Sequence, residues 1–101
     1  MIIYNVTLKV SWAIHDEWVK WMKEIHMPEV MATGCFTGKQ LVKLLDTEEE
    51  EGPTYAAQYY ASSYADYERY IEQFSQPLRD DGFSRWGNNF IAFRSVMQIV
   101  N

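Results

Sequence analysis

The first ten residues alternate. Ile2, Tyr4, Val6, Leu8 and Val10 form one apolar set, and Ile3, Asn5, Thr7 and Lys9 form a mixed one. A period of two sends successive side chains to opposite faces, so this segment predicts a half-buried strand. From Ile14 the step changes to three and four residues: Ile14, Trp18, Trp21, Met22 and Ile25 make an apolar stripe, and Asp16, Glu17, Lys20, Lys23 and Glu24 fill the other side. That pattern predicts an amphipathic helix with acids in its early turns, where the helix dipole favours them. Pro28 lacks a backbone donor and restricts Met27, so the helix is expected to end or kink there, with Thr33–Gly34 closing the segment.

A second strand is expected over Cys35–Leu45, followed by the acidic loop Asp46–Pro53 and a third strand over Thr54–Ala61. The short spacing and the Gly52-Pro53 pair predict a hairpin. Ser63 with Asp66 three residues on resembles a capping box. It opens a helix whose apolar stripe is Tyr67, Tyr70, Ile71, Phe74 and Leu78, with Gly82 as the expected terminator. The run Phe90–Val100 is a fourth strand. One of its sides, Ile91, Phe93, Met97 and Ile99, is expected to face the helices. The other carries Phe90, Ala92, Arg94, Val96, Gln98 and Val100.

The resulting order, β-α-β-β-α-β over residues 1–101 as a single domain, predicts an α+β, ferredoxin-like fold: a four-stranded antiparallel sheet with both helices on one face. Strands two to four are apolar on both faces. A bare second face would exceed the apolar patch that a monomer tolerates, so a second copy is expected to cover it and form a homodimer.

Composition narrows the partners. The chain has 14 Asp+Glu against nine Lys+Arg, for a net charge of −5. Phosphate backbones need clustered basic surface, so nucleic acid is not an expected partner. No apolar run approaches the roughly 20 residues of a membrane span, and the alternating N-terminus does not read as a signal peptide. A single cysteine, Cys35, permits no internal disulfide, which fits a reducing compartment; the expected location is cytoplasmic.

The segments HDEWVKWMKEIHMPEVMATGCF, GPTYAAQYYA, DYERYIEQF and NNFIAFRSVMQIV together resemble an uncharacterised bacterial family, a domain of unknown function. That family is similar to the dimeric α/β-barrel superfamily, in which two ferredoxin-like sheets pack face to face. The resemblance implies a dimeric α/β barrel with a ligand pocket between sheet and helices of each subunit. It also implies a range of candidate activities: cofactor-independent monooxygenases, haem-degrading monooxygenases and small isomerases. Haem-degrading relatives place an axial histidine on the second helix, and Ser63–Gly82 contains none. No cofactor is therefore expected, and Asn5 and Trp86 are the positions left to a haem-type reading.

Among individual residues, the Trp18/Trp21/Met22/Ile25 stripe reads as core, with pocket lining as the alternative. His26, at the edge of that stripe beside Pro28, is the candidate general acid–base. The competing reading is a helix-end histidine bonded to a free carbonyl. His15 and His26 are eleven residues apart, roughly 16 Å along a helix, so one metal ion cannot join them and no metal site is expected. Cys35 opens a strand with no activating neighbour and reads as an inert buried thiol. Arg94 sits amid an apolar strand and calls for a carboxylate across a dimer interface or a bound anion. Tyr55, Tyr59 and Tyr60, with Trp86, could line a flat apolar pocket or serve as core and interface. Glu48–Glu51 reads as a solvated hairpin tip. Two functions follow: a module that binds a small apolar or aromatic ligand, or a cofactor-independent monooxygenase or isomerase using His26.

Overall fold

The computed structural model describes residues 1–101. Its elements run β1 (Ile2–Val10), α1 (His15–Trp21), a π-helical stretch (Met22–His26), α2 (Met27–Ala32), β2 (Gly38–Lys43), β3 (Thr54–Ala61), α3 (Tyr64–Gln73), α4 (Ser75–Trp86) and β4 (Phe90–Gln98). The four strands form one antiparallel sheet in the order β2-β3-β1-β4, the split β-α-β pattern of a ferredoxin-like fold. The core lies between one sheet face and the helices, built on Tyr4, Leu8, Val10, Trp18, Met27, Val30, Tyr59 and Tyr70.

Pro28 does not end the first helix; the backbone widens just before it. The Met27 amide donates to the Met22 carbonyl, a five-residue step, and α2 then continues with Pro28 in its first turn. A proline cannot donate to the carbonyl four residues back and crowds it, and a π turn relieves both problems. The extra residue rotates everything after it. Ile25, expected in the core, is 39% exposed, while His26, Met27 and Val30 turn inward.

The second helical segment is two helices. Ser63 caps α3 as expected, its hydroxyl accepting from the Asp66 amide at 3.2 Å. The helix then breaks at Phe74 (φ −126°), because Pro77 three residues on has no N–H for the last turn of α3. Gly82 does not terminate anything. It is buried inside α4, where a Cβ would stand 3.5 Å from the Trp21 indole, and the stop comes at Gly87 (φ +56°).

Strand β2 is shorter than Cys35–Leu45, since Cys35 and Phe36 are buried in the approach to it. The faces of β4 are the reverse of the expected ones. Register with β1 sets Phe90, Ala92 and Arg94 opposite Val10, Leu8 and Val6, on the helix side. Ile91 (59% exposed) and Phe93 (68% exposed) project from the open face with Met97. The acidic hairpin is not simply solvated: Lys9 pairs with Glu48 at 2.8 Å, Lys43 with Glu49 at 3.4 Å, and the Trp12 indole donates to the Glu49 carbonyl. No helix is long and apolar enough to cross a membrane.

Candidate functional site

Small side chains in the middle of the sheet create the site. One register row on the helix side reads Leu41, Ala57, Val6, Arg94 across β2, β3, β1 and β4. Its neighbouring rows carry larger groups, Tyr59 and Tyr4 on one side and Tyr55 and Leu8 on the other. Ala57 and Val6 leave space that the flanking rings do not fill. A cavity of about 60 Å³ results, floored by Tyr4, Val6, Leu8, Ala57 and Tyr59. Met22 and His26, the two ends of the π stretch, roof it together with Tyr70 from α3 and Arg79 from α4. Phe90, Arg79 and Arg94 form the rim, and the same three residues line an adjoining surface groove of about 350 Å³ with Asp80, Phe83 and Ala92.

The polar atoms around this cavity are poorly met by the protein. Tyr59 Oη, His26 Nδ1 and Arg79 Nε are buried and have no hydrogen-bonding partner in the chain. Arg79 Nη2 donates to Tyr4 Oη at 3.4 Å. Burial lowers the pKa of His26 to about 4; Asp81 partly opposes this and Arg94 adds to it. Its ring is therefore neutral at pH 7, stacked on Trp21 at 4.7 Å between centroids. Burial also pushes the Tyr59 and Tyr70 phenols up, so both remain protonated donors.

Of the residues singled out from sequence, the structure brings His26, Tyr59 and Arg94 to one cavity. Trp86 stands behind it, packed edge-on against Trp21 at 5.8 Å. Tyr55 lies on the same face but lines a different groove, with Lys23, Lys39 and Lys43. Its hydroxyl is 2.7 Å from His15 Nε2, whose Nδ1 is 3.0 Å from Asp16; sequence reasoning passed over His15, and this chain ties α1 to β3. Asn5 and Tyr60 are on the opposite, open face, where odd positions of β1 meet even positions of β3. There Gln40 Nε2 donates to Gln58 Oε1 (2.7 Å) and Gln58 Nε2 donates to Asn5 Oδ1 (3.2 Å). Asn5 Nδ2 in turn donates to Thr7 (3.0 Å) and reaches Ser95 (3.5 Å), completing a polar ladder across all four strands. Arg79 was not anticipated. No three His, Cys, Asp or Glu side chains converge to hold a metal ion.

A four-stranded ferredoxin-like sheet with a small charged-rim cavity under its helices defines the class of protein. The chain belongs to the domain-of-unknown-function family DUF4286, whose model matches residues 1–100. No curated protein matches the sequence. Among solved structures, a dimeric ferredoxin-like protein from an uncultured marine organism superposes with TM-score 0.69 at 11% identity, covering 100% of this chain and 96% of that one. A mutant of MhuD with two manganese protoporphyrin IX bound per active site gives 0.68 at 13% identity, covering 100% and 96%. An ethyl tert-butyl ether (EthD) family protein from Bacillus halodurans gives 0.68 at 9%, covering 99% and 100%. At these identities the likeness carries the fold.

Proposed function

We propose that this protein is a cytoplasmic homodimeric module that binds a small apolar or aromatic molecule in the cavity beneath its helices. The carrying observation is the set of three buried polar atoms, on Tyr59, His26 and Arg79, left without partners around one aromatic-walled space. Buried polar groups ordinarily find partners, and a site with a few convergent ones among apolar walls is the usual form of a small-molecule pocket. The pairing of two copies through the open face is supported by its exposed Ile91, Phe93 and Met97 and by the dimeric description of the marine neighbour.

A second reading, a cofactor-independent monooxygenase or isomerase with His26 as acid–base, draws support from the position of His26 on the cavity wall beside Tyr59. A ring with pKa about 4 is a weak base at neutral pH, where proton transfer works best with a pKa near the ambient value. That favours His26 as a hydrogen-bond acceptor for the ligand. Native mass spectrometry of protein purified without added ligand tests the main reading. A dimer mass carrying a defined small adduct is expected, and Phe93→Glu should convert the dimer to monomer with an unchanged circular dichroism spectrum. A wild-type monomer would sink the pairing.

A further inference from the structure

We propose that the ligand is a small organic acid, its carboxylate held between the guanidinium groups of Arg79 and Arg94 and its apolar body directed inward toward Tyr59 and Met22. This rests on the ligand-binding reading above and adds the charge and orientation of the molecule.

The inference begins from an imbalance. Of the chain's four arginines, Arg69 and Arg85 close ion pairs on their own helices, with Asp66 at 3.6 Å and Asp81 at 3.4 Å. Arg79 and Arg94 form none, in a chain with 14 carboxylates. Both line the same cavity and the same adjoining groove, although one comes from α4 and the other from β4. Asp80, the acid in that groove, accepts instead from Gln76 at 2.8 Å. The buried Arg79 Nε calls for an anionic or hydrogen-bonding partner, and the planar fork of arginine, Arg94 included, fits a carboxylate with two parallel bonds.

The arrangement of the site also sets direction. Arg94 is exposed and Arg79 half-buried at the rim, whereas Tyr59 is only 2% exposed at the inner end. Tyr4 Oη meets Arg79 Nη2 and leaves its Nε inside without a partner. An acid entering head-last would place its charge against both arginines and its carbon skeleton among the rings. The buried Tyr59 hydroxyl, which has no partner in the chain, suits a hydroxyl on the far side of such a molecule.

The test is calorimetric titration at pH 7 of the purified full chain with propanoate and butanoate, each against its uncharged amide, and with inorganic phosphate. At least one acid should bind about tenfold more tightly than its amide, the discrimination expected of one charge-assisted pair. Arg94→Gln and Arg79→Gln should each remove most of that difference. Arg94 lies exposed on an edge strand, so its variant keeps the inference testable even where Arg79→Gln fails to fold. Equal affinity for acid and amide would overturn the assignment of charge and leave the neutral-ligand reading standing. Binding of phosphate as tight as that of the acids would overturn the apolar-body assignment. No heat from any of the acids or amides would overturn both readings.

Discussion

On the helix-covered face of the sheet, Tyr59, His26 and Arg79 present polar atoms that nothing in the chain meets. One residue away along the same strands, on the open face, Gln40, Gln58, Asn5 and Ser95 bond to one another in a continuous row. The two faces share their backbone and differ in what stands opposite what. On the open face four short amide and hydroxyl side chains fall at one register level, so each reaches its neighbour across the strand spacing of about 4.8 Å. On the covered face the corresponding polar groups are a phenol, an imidazole and guanidinium groups on separate elements, aimed at a space above Ala57 and Val6. Polar groups that satisfy one another fix register; polar groups left over around a cavity mark a place for something else.

That contrast can be broken or sharpened in four ways. The largest effect belongs to the covered face: Trp18 is 1% exposed, and Trp18→Ala should cost about 3–5 kcal/mol in urea unfolding through the cavity it leaves. Next is pH. His26 is held at about 4 against an ordinary 6.5, so between those values the unfolded chain takes up a proton that the folded one refuses. Stability from this group is thus present at pH 7 and falls by about 1 to 2 kcal/mol toward pH 5. His26→Leu should flatten that slope, read as the difference between wild type and variant; parallel slopes would mean that the ring is solvated. On the open face, Gln58→Leu strands Gln40 and Asn5 together and should cost about 1 kcal/mol. The smallest effect is Tyr59→Phe, expected to be neutral or slightly stabilising because the hydroxyl has no partner to lose. A loss above about 1 kcal/mol in ligand-free protein would show that it has one.

The strands β1 and β3, the Ser63 cap and the order of elements were legible because each follows a local rule: period-two alternation, a hydroxyl before an apolar run, a Gly-Pro turn. The faces of β4 were not. Both sides of that strand are apolar, and only pairing with β1 decides which of them meets Leu8 and Val10. Ile25 was misplaced because a single added residue in the helix is invisible to a three-and-four periodicity; the trace left in the sequence was the five-residue step from Met22 to Met27. The broken helix at Phe74 had its signal in Pro77. For the site, His26, Tyr59 and Arg94 were legible as unusual residues on apolar faces, while Asn5 lies on the opposite face and Trp86 stands behind the cavity against Trp21. Arg79 was hidden in the polar run "QPLRDD". Yet Arg69 and Arg85 each have an aspartate three or four positions before them, and Arg79 has no acid at either spacing in either direction. An arginine without a neighbour on its own helix surface is looking elsewhere.

The widened turn at Met22–His26 behaves like a shift of reading frame. Upstream of it the helix keeps its facing; downstream every side chain is turned by about 100°, the angle of one residue. Removing one residue there would turn the groups that follow back by that angle and exchange those overhanging the sheet, while the strands and their register stay as they are. In this molecule the chemistry of the roof and the architecture of the floor can therefore change independently, and a single-residue insertion or deletion is the smallest step that separates them.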